Sequence, residues 1–274
     1  MSEATSLRAT GDGLEPDTRE FRHLEVDDRG AIAVVSFARP PVNAVDTEMC
    51  LEIRALFSRV DEFLPQVRVL VLRGKGSHFC AGHDFREFAS LTPQNSPGRQ
   101  KLVRETFAAV YDCPVPVIAA VHGVAVGTGV ALAACCDTIV CGESARLGVP
   151  EVGIGVMGGA RHMRRLVPEH LMRTLYFTAG HASAAELLPY GGIHAVVPDE
   201  QLLDTALELA ERMAVHSRAV LRHAKESLNT IEFMDLKSGY EAEQRVTTRL
   251  TAHPDSQEAR TAAFERRTPE YSHS

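Results

Sequence analysis

The sequence predicts an α/β fold, with a mixed core over residues 21–198 and a helical C-terminal subdomain over residues 199–274. Three observations carry this. The runs Val67–Leu72 and Val117–Val121 have the continuous apolar character of strands buried on both faces. Segments of helical periodicity stand between such runs, and the order strand, strand, helix recurs from residue 22 to about residue 150. From Asp199 onward the apolar spacing is helical throughout.

The elements follow in order. Residues 1–20 are polar and read as a flexible tail with no signal-peptide core. Arg22–Arg29 and Ala31–Phe37 read as a hairpin about Arg29-Gly30, ended by Pro40-Pro41. Asp46 is a candidate N-cap for a helix whose apolar face is Met49, Ile53, Leu56, Phe57, Val60 and Leu64. After the strand Val67–Leu72 the chain turns at Gly74–Ser77. A second helix is expected over Gln100–Tyr111, then the strand Val117–Val121, a turn over Gly123–Gly129, a helix over Val130–Cys136 and a strand over Thr138–Cys141. Two short helices divided near Pro168, a strand over Ile193–Val197 and C-terminal helices with breaks near Ser217, Thr230 and His253-Pro254 complete the chain.

Composition narrows the function classes. The 274 residues are long enough to bury about three-quarters of the unfolded surface without covalent staples. Lys plus Arg number 29 against 36 Asp plus Glu, a net charge of −7, which argues against nucleic acid as a partner. The six cysteines include no C-x-x-C pair and read as buried, reduced thiols of a cytoplasmic protein. Val115–Cys136 has the length of a membrane span, but Pro116, Gly123, Gly127 and Gly129 would break it, so no membrane contact is expected.

Several chemistries lack their motifs. Leu132 stands where a dinucleotide fingerprint needs its third glycine, no phosphate loop or nucleophile elbow occurs, and the twelve histidines form no metal-ligating cluster. No metal is expected. What remains is two glycine-containing turns, Phe79–Asp84 and His122–Gly129, each able to present backbone N–H groups to a ligand or simply to pack tightly.

Together these turns resemble the enoyl-CoA hydratase/isomerase, or crotonase, family. Arg39-Pro40-Pro41-Val42-Asn43-Ala44-Val45 is similar to the family's P-x-x-N-A loop, and Phe79–Asp84 to its F-x-A-G-x-D turn. Ile118–Asp137 is similar to its glycine-rich stretch ending in C-D, and Asp255–Arg267 to its C-terminal helix. The resemblance implies a crotonase-like spiral of strand-strand-helix turns with a C-terminal trimerisation region, a homo-oligomer (trimer or dimer of trimers), and an acyl-CoA substrate. Coenzyme A would be part of that substrate, with no separate cofactor. It maps two backbone N–H donors of an oxyanion hole onto His83 and Thr128, an acid/base onto Glu151, and CoA contacts onto Ala81, Asp84, Phe85, Arg86 and Arg266.

The chain departs from the family pattern at three places. Thr128 replaces a usual glycine, Ala259 and Ala263 alter the C-terminal motif, and Ala131 stands where hydratases of the family carry a second glutamate. A methyl group neither accepts a hydrogen bond nor carries a proton. One carboxylate with an oxyanion hole suffices to move a proton along an enoyl thioester, so the expectation is isomerase-type chemistry or an atypical hydratase acting through an enolate. The alternatives are a non-catalytic acyl-CoA-binding protein, or a dienoyl isomerase, thioester hydrolase or decarboxylase on the same scaffold.

Overall fold

The computed structural model describes residues 7–10 and 13–16 by their backbone, and residues 21–271 in full. Within the expected N-terminal tail, Leu7–Thr10 and Gly13–Pro16 pair as an antiparallel hairpin; its remaining residues lie outside the described ones.

The main sheet has six strands in the spatial order Ala195–Val197, Thr138–Gly142, Val117–Val121, Val69–Gly74, Ile32–Phe37 and Leu24–Asp28. Leu24–Asp28 and Ile32–Phe37 form the expected antiparallel hairpin, and every other pairing is parallel. Parallel strands need both faces covered, which explains why Val117–Val121 is buried at every position. One face packs on the helices Thr47–Ser58 and Ser96–Tyr111, with Phe37, Leu56, Phe57 and Phe79 at its centre. The other packs on Leu202–Ala214.

A second sheet of three short strands, His181–Ser183, Arg146–Gly148 and Val124–Val126, was not anticipated. It corrects the expected Gly123–Gly129 turn: Val124–Val126 is a strand, and the helix after it begins at Thr128 and runs to Cys135. The apolar stretch Val115–Cys136 is therefore two strands and a helix, and no helix among the described residues is long and apolar enough to cross a membrane.

Four C-terminal helices, Leu202–Ala214, Arg218–Ile231, Leu236–Leu250 and Pro254–Glu265, break at the expected places. Buried Lys225 fastens them to the core. Its Nζ donates to Asp137 Oδ2 at 2.8 Å, and the same oxygen accepts the Val117 N–H at 2.7 Å. Arg161 and Arg165 join the same seam. Arg165 pairs with Glu232 at 3.2 Å and donates to Ala134 O, and Arg161 lies over the Phe233 ring. All six cysteines are free and buried.

Candidate active site

Two loops that follow the central strands Val69–Gly74 and Val117–Val121 converge. The first is held by Asn43, which is buried and receives the Arg39 N–H while donating to Lys75 O and His78 O at 2.9 and 2.8 Å. This fixes Val45 against the Phe79–Asp84 turn. Val45 N donates to Gly82 O, and Val45 O accepts from Asp84 N, so the Val45 backbone brackets His83 in a parallel bridge. In that geometry the His83 N–H points away from Val45. It donates to no acceptor among the described residues.

The second loop is the start of the helix Thr128–Cys135. Cys80 N donates to Val124 O and Cys80 O accepts the Val126 N–H, and a Cβ on Gly129 would meet Cys80 O at 2.1 Å, so only glycine lets the helix approach the turn this closely. Gly127 takes the positive φ of 54°, which leaves Thr128 in ordinary helical backbone. A β-branched residue is tolerated there for that reason. As the first residue of the helix, Thr128 has an N–H without an intrahelical partner.

Both residues line one cavity of about 220 Å³, together with Ala81, Phe85, Ala131 and Glu151. Glu151 sits in a 3-10 turn, Pro150–Ile154, and is 8% exposed. Its Oε2 has no hydrogen-bond partner among the described residues. Burial disfavours the charged carboxylate and pushes its pKa up to about 7. Among the described residues no other carboxylate lines the cavity, and position 131 offers only a buried methyl group. Phe88, Val103, Phe107, Val126, Ile154 and Met157 give the cavity wall most of its apolar surface, beside the polar side chains of Arg99 and Gln100.

His83 also turns its imidazole to this wall. Nδ1 lies 3.3 Å from Val45 O, and the ring packs edge-on to Phe88. Burial, helped by the nearby Arg99 charge, pulls its pKa down to about 4, so the ring is neutral at pH 7.

The remaining expected contacts divide. Phe85 lines both the cavity and an open cleft beside it, and Arg86 lines that cleft. Asp84 lines the same cleft and also serves as scaffolding: it caps the helix Phe85–Ala89 by accepting the Arg86 N–H, and pairs with Arg39 at 2.7 Å. The Arg86 N–H and Arg39 together hold its carboxyl below the usual range. Arg266, at the C-cap of Pro254–Glu265, lines neither cavity nor cleft. Arg99 and Gln100, which do line the cavity, were not anticipated. Their signal was present in the four-residue spacing of Arg99, Val103 and Phe107, which puts these three on one helix face.

Among the described residues no group of three or more His, Cys, Asp or Glu is placed to hold a metal ion.

Comparison with known proteins places this geometry. Residues 27–274 match the family described as enoyl-CoA hydratase/isomerase. A (7aS)-7a-methyl-1,5-dioxo-2,3,5,6,7,7a-hexahydro-1H-indene-carboxyl-CoA hydrolase of Rhodococcus jostii is 40% identical over 244 residues, covering 85% of this chain and 90% of its own. A 2,3-dehydroadipyl-CoA hydratase of Escherichia coli is 33% identical over 210 residues, covering 75% and 81%. The crystal structure of an enoyl-CoA hydratase from Bacillus anthracis superposes with a TM-score of 0.85 at 29% identity, covering 92% of this chain and 100% of that one. The chain belongs to the enoyl-CoA hydratase/isomerase family and is an acyl-CoA enzyme of the crotonase fold.

Proposed function

We propose that Glu151 is the lone acid/base of an oxyanion-stabilised acyl-CoA reaction that passes through a thioester enolate. The observation that carries this reading is the isolation of Glu151: the one carboxylate lining the cavity, buried, with an orphaned oxygen and a pKa near 7. A base with that pKa is half ionised near neutrality, the best compromise between availability and strength. The thioester oxygen lies between the His83 and Thr128 N–H groups, neither of which has another acceptor among the described residues. Glu151 takes a proton from carbon, the electron pair moves onto the thioester oxygen, and the same carboxyl returns the proton at the γ-carbon. Each donor contributes on the order of 3 kcal/mol to the charged state. Phe85 and Arg86 receive the CoA portion at the adjoining cleft. Arg86 makes no side-chain hydrogen bond among the described residues and is placed to meet a phosphate.

A second reading, hydrolysis, is favoured by the relatives at 40% and 39% identity that bear the name of a CoA hydrolase. Here Glu151 takes a proton from water, whose oxygen adds to the thioester carbonyl, and the two N–H groups hold the tetrahedral oxyanion. Its collapse breaks the C–S bond, and the leaving thiolate takes the proton back from Glu151.

The experiment follows three signals on separate 2-enoyl-CoA and 3-enoyl-CoA substrates: the ultraviolet absorbance of the conjugated thioester, its loss, and release of free thiol. Gain of absorbance from the 3-enoyl ester supports proton transfer. Thiol release supports hydrolysis. Wild-type turnover by Glu151→Gln in every assay would remove Glu151 from both readings.

A further inference from the structure

One charged group lines the cavity without a part in the chemistry above. Arg99 lies on the helix Ser96–Tyr111, four and eight residues before Val103 and Phe107, which line the same wall. Its side chain is 13% exposed. Nη1 pairs with Glu87, and the guanidinium lies 5.8 Å from the Phe88 ring centroid. Among the described residues Nη2 reaches only His83 Nδ1, at 3.5 Å. That nitrogen is also 3.3 Å from Val45 O. One imidazole nitrogen cannot donate to Val45 and accept from Arg99 at once. With the proton on Nδ1 and donated to Val45 O, Arg99 Nη2 has no acceptor among the described residues; with the proton on Nε2, Nδ1 is its one acceptor, at a long 3.5 Å. In either tautomer this nearly buried donor is poorly matched, and a ligand oxygen satisfies it better.

We propose that Arg99 recognises a carbonyl oxygen on the acyl group, so that the substrate is a compact oxo-substituted acyl-CoA rather than a plain fatty acyl-CoA. This rests on the acyl-CoA reading of the same cavity. Two features set the class. The cavity, at about 220 Å³, lies below the usual range of about 300–1,000 Å³ for ligand pockets, which favours a ring or short acyl group over a long chain. Glu87 already balances the Arg99 charge, so a neutral carbonyl is a better guest than a carboxylate, which would meet a second negative charge beside it.

The test compares binding of three esters by calorimetry: cyclohexanecarboxyl-CoA, 4-oxocyclohexanecarboxyl-CoA and 4-carboxycyclohexanecarboxyl-CoA. The wild-type protein binds the oxo ester at least about tenfold more tightly than the plain one, the discrimination expected of one hydrogen bond from a charged donor. Arg99→Met loses that preference and binds both with the affinity of the plain ester. Glu87→Gln keeps Arg99 and the Thr47 N–H contact but removes the balancing charge. It shifts preference toward the carboxy ester, and it tests the inference even if Arg99→Met fails to fold. Equal wild-type affinity for the oxo and plain esters overturns the inference. So does equal loss of both in Arg99→Met, which would make Arg99 a prop for the His83 turn, and so does an unchanged carboxy affinity in Glu87→Gln. Failure of the wild type to bind any of the three esters would overturn the acyl-CoA reading itself.

Discussion

Glu151 rests directly against Gly159: a Cβ at position 159 would stand 2.9 Å from Glu151 Oε1 and 3.0 Å from Val149 Cγ1. Gly127, the N-cap of the helix that carries Thr128, approaches the same oxygen, with a Cβ there at 3.1 Å. The carboxylate therefore has little freedom on its protein side. Its open side is the cavity.

Gly159→Ala tests that confinement. Gly159 has φ of 71°, so alanine brings backbone strain as well as the clash. The expected result is a stability loss of about 1–3 kcal/mol and a fall in turnover of at least about tenfold, because a small displacement of a base disrupts proton transfer disproportionately. Chemical denaturation and steady-state turnover measure the two effects. Unchanged turnover would show that the carboxylate is not held where the reaction needs it.

The raised pKa of Glu151 has opposite consequences for activity and stability. As the base, it must be ionised, so kcat/KM rises with pH to a plateau with a midpoint near 7, and Glu151→Gln lacks this limb. For stability, the folded carboxyl holds its proton between the ordinary value of 4.5 and about 7, where the unfolded chain has released it. Stability therefore falls as pH rises through that window, by about 3 kcal/mol in all. Glu151→Gln is expected to be more stable than wild type at pH 8, with the difference closing below pH 4.5. Denaturation of both proteins across this range checks the sign.

Ala131→Glu restores a second carboxylate at a buried position one turn along the helix from Thr128. The expected gain is hydration of 2-enoyl-CoA, read as loss of thioester absorbance. The expected penalty is about 1–3 kcal/mol of stability for burying a polar group with no partner waiting. A folded variant with no hydration would mean that water has no place between positions 131 and 151.

The sequence made the fold legible wherever burial was continuous. Val117–Val121 and Val69–Gly74 are buried nearly throughout, so their apolar runs were readable as strands. The strands Arg146–Gly148 and His181–Ser183 were not, because three residues carry no periodicity. Val124–Val126 was hidden by its flanking glycines, which read as a turn. At the site, Glu151 and both donor turns were legible through the family resemblance, and Ala131 was recognised as a departure. Arg99 was missed for a local reason. The helix expected over Gln100–Tyr111 starts one residue past Arg99. Proline is tolerated in the first turn of a helix, and this one begins at Ser96. Asp84 and Arg266 were legible as motif positions, but motif position does not reveal that Arg39 captures the first or that the second caps a helix away from the cavity.

The proposed chemistry requires Glu151 to move a proton on a carbon made acidic by the thioester. Deuterium uptake at the α-carbon of a saturated acyl-CoA, incubated with the protein in D2O and followed by mass spectrometry, reads that step alone. Enzyme-dependent exchange is expected to rise with pH through about 7 and to be abolished in Glu151→Gln, with binding of the ester retained. Exchange at the wild-type rate in Glu151→Gln would contradict it.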